Sequence, residues 1–191
     1  MNHEPEPTEA ILQTITRLLA GANEMAEVHK TVYPSRVYWS LLVSADATPK
    51  LVGRNGTHVK AIAHLVRGFV NSGESPFEFA LLDPEPGPAS NSPSREVNPT
   101  YEPSDLIEFV EAVILALGVG EYCVDTEPRG LTNEGGAAHE LQIWVRSQAD
   151  YDLLTVPRKG TDMTNVAALG VLCRAAANFA GGRVNVEVKR A

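Results

Sequence analysis

Apolar residues along this chain follow two rhythms, and the rhythms come in the same order twice. Ile11, Leu12, Ile15, Leu18 and Leu19 fall at helical spacing, with Thr8 as the expected N-cap and Gly21 as the stop. "EVHKTVY" then alternates as a half-buried strand does, and Pro34-Ser35 breaks it. A second strand, "RVYWSLLVSA", puts Val37, Trp39, Leu41 and Val43 on one face. Asp46 to Val52 suits a turn or two of helix, because Pro49 is tolerated near a helix start. After "GRNG" a longer helix opens at Thr57, with Val59, Ile62, Ala63, Val66 and Phe69 as its buried stripe. "PFEFALL" closes the series as a strand.

The right-hand part repeats that order. Ser104 or Asp105 is placed to cap a helix carrying Leu106, Ile107, Val110, Val113, Ile114 and Leu117, ended by Gly118 or Gly120. "EYCVDTE" reads as a strand, "RGLTNEGGAA" as a long turn and "HELQIWVRS" as a strand with Leu141, Ile143 and Val145 inward. Asp150 to Val156 reads as a short helix, and Thr161 as the cap of a long one carrying Val166, Leu169, Leu172, Ala176 and Phe179. "RVNVEVKR" is the last strand. The repeat is visible residue by residue. "LVGRNGTHVKAIA" (51–63) aligns without a gap on "TVPRKGTDMTNVA" (155–167), pairing Arg54 with Arg158, Gly56 with Gly160 and Thr57 with Thr161. Two units of one element order make an internal duplication the economical reading. The expected domains are 1–83 and 104–191, joined by a Pro/Ser-rich linker over 84–103.

Composition narrows the classes. The 191 residues are 43% hydrophobic, enough for ordinary cores. No apolar run reaches the length of a membrane span, and the N-terminus lacks the basic and apolar regions of a signal peptide, so a cytoplasmic location is expected. Cys123 and Cys173 have no C-x-x-C spacing, and two buried reduced thiols are expected rather than a disulfide framework or zinc site. His29, His58, His64 and His139 share no metal spacing. The sequence shows no nucleophile with an adjacent base, no paired-carboxylate motif and no Walker loop, so neither catalysis nor a cofactor is expected.

The net charge of −8 argues against a nucleic-acid partner, but only weakly. Binding depends on the local field, which salt screens beyond about 8 Å. Locally the sequence is basic. Glycines at both ends of Gly53-Arg54-Asn55-Gly56 permit positive φ and close approach of a ligand to the backbone. A helix starting at Thr57 directs unpaired N–H groups and its positive dipole end at that loop, an arrangement that suits an anion. Arg54 adds charge, and Lys60, His64 and Arg67 lie at i, i+4 and i+7, on one face of the helix.

The residues Val52-Gly53-Arg54-Asn55-Gly56, followed by Val59, Ile62 and Ala63, resemble the G-x-x-G segment of the KH domain in its type II (prokaryotic) arrangement. The resemblance extends over both units. It is similar to the paired KH units of bacterial transcription elongation factors, to small bacterial KH proteins and to phage-encoded KH proteins. It implies an α+β fold of two αββααβ units, each a three-stranded sheet covered by helices on one face. It also implies that the G-x-x-G loop clamps about four nucleotides of a single strand. The binding residues so implied are Gly53, Arg54, Asn55, Gly56, Thr57, Lys60, His64 and Arg67. In the second unit they are Arg158, Lys159 and Gly160, where Pro157 replaces the first glycine and removes a backbone donor. The expected partner is single-stranded RNA or single-stranded DNA, in the manner of an RNA chaperone or a regulator of transcripts. The alternative is a scaffold or assembly protein with this fold and no RNA function. Trp144 and Arg146 fall on the sheet face away from the helices, a position suited to stacking on a base or, the favoured reading, to packing against another domain, a protein partner or a second copy.

Overall fold

Pro7, not Thr8, sets the first helix. In the computed structural model α1 spans Pro7–Ala20, with Glu6 at the N-cap and Thr8 buried inside the first turn. Proline suits that position because its missing N–H would have no helical partner there. The structure describes residues 6–21, 24, 26–34, 36–69, 77–82, 103–131, 137–158, 160–179 and 182–191. The expected linker over 84–103 lies outside them except for Pro103, the first residue of α4.

The first half continues with β1 (Glu27–Tyr33), β2 (Arg36–Leu42), α2 (Thr48–Val52), a 3-10 turn over Arg54–Gly56, α3 (Thr57–Phe69) and β3 (Phe77–Leu82). The second runs α4 (Pro103–Ala116), β4 (Tyr122–Leu131), β5 (Ala137–Val145), α5 (Gln148–Thr155), α6 (Asn165–Phe179) and β6 (Arg183–Arg190). The chain is a mixed α+β structure, and both halves have the order αββααβ. Each sheet has three strands with the middle one second in sequence, β1-β2-β3 and β4-β5-β6. In each, the first pair is antiparallel and the second parallel. A parallel return needs a crossover, and the two helices between the second and third strands supply it.

Local chemistry explains where elements start and stop. Ser147 accepts a hydrogen bond from Asp150 N at 2.9 Å and caps α5, earlier than the expected start at Asp150. Neither Ser104 nor Asp105 caps α4; both lie within its first turn. Gly118, at φ 80°, ends that helix, with Val119 N bonded to Ile114 O at 3.2 Å. The expected turn over 129–138 is shorter than its composition suggests. β4 runs on to Leu131 through an irregularity between Pro128 and Gly130, which lets the strand pass its proline; residues 132–136 lie outside the described set.

The helices of the two halves share one core. α3 packs on α6 and α1 on both α4 and α6, so that Leu12, Ile15, Leu19, Ile62 and Leu65 join Phe109, Ile114, Leu169 and Leu172 in a single buried cluster. Burying each such side chain contributes about 1.5–3 kcal/mol. Trp39 and Leu41 of β2, Val43 just beyond its end, and Leu141, Ile143 and Val145 of β5 are buried as expected, whereas Val37 is half-buried and Ser40, Glu140 and Gln142 on the alternate positions are buried as well. Cys123, Asp125 and Glu127 on the other face of β4 are exposed. One of the two expected buried thiols is therefore on the surface, whereas burial pushes the Cys173 thiol up to about 12. No helix among the described residues is long and apolar enough to cross a membrane.

Candidate functional site

The "GRNG" corner is built from three residues in conformations that most side chains avoid. Gly53 ends α2 at φ 70°, ψ 171°, and its N–H bonds Pro49 O at 2.9 Å. Its bare α-carbon makes room for the His58 ring: a Cβ there would lie 2.4 Å from His58 Cγ. That ring is fixed by Nδ1, 2.6 Å from Lys50 O. A carbonyl only accepts, so Nδ1 carries the hydrogen. Asn55 sits at φ 56°, ψ 27°, the left-handed region that asparagine tolerates better than most residues, and Gly56 follows at φ 72°.

The unpaired amides lie slightly earlier in the chain than the sequence implies. The 3-10 turn extends the start of α3 backwards. Gly56 N–H is spent on Gly53 O at 3.1 Å, and Thr57 N–H on Arg54 O. The first donors of a helical turn have no partner within it. Here those donors are the amides of Arg54 and Asn55, both exposed residues at the tip.

The corner is positive although the chain is not. Lys50, Arg54, Lys60 and Arg67 occur between Asp46 and Glu74 with no carboxylate among them. Arg54, Lys60 and Arg67 are exposed, and no carboxylate among the described residues pairs with them. An open cleft of about 350 Å³ adjoins the loop, lined by Pro49, Lys50, Arg54 and His58 from the first half and by Ala175 and Asn178 from α6. Lys50, His58, Ala175 and Asn178 are cleft residues outside the set that the sequence implies for binding. The carboxylate-free run was the available signal for Lys50 and His58; the α6 residues depend on how the halves pack.

His64 does not join Lys60 and Arg67 on an exposed stripe. It is only 6% exposed. The three share one side of α3, but α6 packs against the middle of that side and leaves the two ends in solvent. Burial lowers the His64 pKa, Arg158 and then Arg67 lower it further, and the Asn165 side chain opposes them. The folded protein therefore resists a proton that the unfolded chain accepts. Stability should be unaffected above the ordinary histidine pKa of 6.5 and should fall as pH drops below it towards the lowered value. Urea unfolding between pH 7.5 and 5 should show this slope in the wild type and a flatter one in His64→Gln. Equal slopes would show that His64 carries no proton linkage.

The second loop is arranged differently. Arg158 is half-buried against α3, where Gly68 has no side chain; a Cβ on Gly68 would lie 2.4 Å from Arg158 Nη2 and 2.6 Å from Leu117 Cδ2. Burial first, then Arg67, lowers the Arg158 pKa. Gly160 is exposed at φ 83°, and Lys159 lies outside the described residues. Thr161 does not cap the helix; its hydroxyl bonds Arg158 O at 3.1 Å. α6 begins at Asn165, with Thr164 Oγ1 accepting from Ala167 N at 3.0 Å. Three residues, Asp162 to Thr164, thus separate Thr161 from the helix, and the direct passage from loop to helix seen at Thr57 is absent in this unit.

Asn178 and Ala175 near the end of α6 meet the first loop, while Asn165 and Arg158 near its start meet His64 and Gly68. α3 and α6 therefore run antiparallel, and the two loops lie at opposite ends of the pair. On the outer face of the second sheet, Trp144 is half-buried, with Lys189 Nζ 5.3 Å from its ring centre, and Arg146 is exposed and paired with Glu121. No group of three or more metal-binding side chains occurs among the described residues. Comparison with protein-family models and with curated proteins returned no match.

Proposed function

We propose that this chain binds single-stranded nucleic acid, RNA in the first instance, through the Gly53–Gly56 corner of a pair of type II KH-like units. Three features support the reading. Each half has the order αββααβ, with an antiparallel and a parallel strand pair. The "GRNG" loop lies between two helices of the first half. Among the described residues, that loop presents the Arg54 and Asn55 amides without a hydrogen-bond partner, beside Lys50, Arg54 and Lys60 and with no carboxylate paired to Arg54 or Lys60. The last observation carries the proposal, because amides at a helix start combined with fixed cations are a phosphate site.

Gly53 and Gly56 shape the loop, Arg54 and Asn55 offer amides, and Arg54, Lys50 and Lys60 neutralise phosphates. Bases then lie towards the cleft at His58. Arg158 braces the junction between the units, and the first unit holds the strand. The work is binding without catalysis. The scaffold reading draws support from the inward-turned Arg158 and the shared core, both of which suit a protein built to hold a shape.

The test is binding of a labelled single-stranded RNA decamer at 50 and 200 mM salt. Three neutralised phosphates give a slope of about −2 in log affinity against log salt, or a fall of about fifteen-fold over that range. A slope near zero, or no binding, would favour the scaffold.

A further inference from the structure

We infer that a strand held at the first loop continues across α6 into a second cleft, formed by the other half of the chain, which takes the phosphate backbone of the following nucleotides. The inference rests on the nucleic-acid reading above and adds a subsite outside both loops. The cleft has a volume of about 480 Å³ and is lined by Arg174 and Asn178 of α6, Arg183 and Asn185 of β6, and Arg129 and His139 of the neighbouring strands. Asn178 lines this cleft and also the one beside Arg54 and His58. The two are therefore neighbours across a single helix, a body about 10 Å wide with its side chains.

The chemistry of the second cleft suits a polyanion. Arg174 and Asn178 are four residues apart, so they stand on one face of α6. Arg174, Asn178 and Arg183 are all exposed. No carboxylate among the described residues pairs with Arg174 or Arg183. Among the described residues that line the cleft the one carboxylate is Glu140, and Arg129 pairs with it and with the exposed Glu127, so that Arg174 and Arg183 are the cations left for a ligand. Gly170, one turn before Arg174, leaves space for its guanidinium: a Cβ there would lie 2.9 Å from Nη1. Asn178 and Asn185 add amide groups able to donate to phosphate or to base edges. A loop of this kind engages about four nucleotides, so only longer strands reach the second cleft.

The experiment compares an RNA tetramer with a decamer on the wild type and on Arg174→Gln/Arg183→Gln. Both substitutions are on exposed side chains, and tetramer binding reports whether the variant keeps its fold and first site. The expected result is a decamer that binds the wild type more tightly than the tetramer. In the variant the decamer should lose about tenfold and its salt slope should flatten by about 1.4, while the tetramer is unchanged. Decamer affinity unchanged in the variant would overturn the subsite alone. Equal losses for both lengths would also overturn it, since that is the behaviour of a diffuse field. Failure of the wild type to bind either length would overturn the nucleic-acid reading, and this inference with it.

Discussion

Gly53→Ala is expected to destabilise the protein by about 2–4 kcal/mol and to weaken RNA binding along with it. The backbone at φ 70°, ψ 171° lies in a region that side chains other than glycine hardly enter, at a cost of about 1–3 kcal/mol. The added methyl would also meet the His58 ring at 2.4 Å. Moving that ring breaks its bond to Lys50 O, worth about 0.5–1.5 kcal/mol. Gly56→Ala is the control. It has a similar φ of 72°, but its Cβ would meet nothing nearer than Val59 Cγ1 at 3.7 Å. It should cost only the left-handed strain, about 1–2 kcal/mol. Urea unfolding and RNA binding of both variants check this. Equal costs would mean that the His58 contact does not shape the loop.

Phe109→Ala should cost about 3–5 kcal/mol and lower the stability of both halves together. Phe109 is fully buried on α4, in the core that α1, α3, α4 and α6 share. The chain has two tryptophans, Trp39 in the first sheet and Trp144 in the second, so each half carries its own fluorescent probe. In Trp144→Phe only Trp39 reports, and its transition should move with Phe109→Ala although Phe109 belongs to the other half. A Trp39 transition that stays in place would show two independent units. The outcome matters for function, because the cleft beside the first loop takes Ala175 and Asn178 from the second half.

Much of this architecture is legible in the sequence because its cause is local. Alternation in "RVYWSLL" and "HELQIWV" marks the middle strands, and the two glycines around Arg54-Asn55 mark a turn of positive φ. What escaped depends on tertiary packing or on a choice between similar signals. The spacing of Lys60, His64 and Arg67 fixes a shared side of α3, but only the docking of α6 determines that His64 is buried there. Thr161 and Thr164 are both good caps; matching 155–167 to 51–63 favours the first, and the chain uses the second. The inward turn of Arg158 has no signal in its own segment. Its signal is Gly68, a glycine inside a helical pattern, which marks a close approach.

The central claim is that the tip amides and cations of the first loop hold a nucleic-acid strand in spite of the chain's net charge of −8. The most direct measurement is RNA binding by Arg54→Asp/Asn55→Asp, which puts two carboxylates beside the free amides and touches no buried residue. The account predicts at least about a thirtyfold loss of affinity, as one phosphate contact vanishes and two repulsions replace it, with thermal stability nearly unchanged. Affinity equal to that of the wild type, in a variant that remains folded, would contradict it.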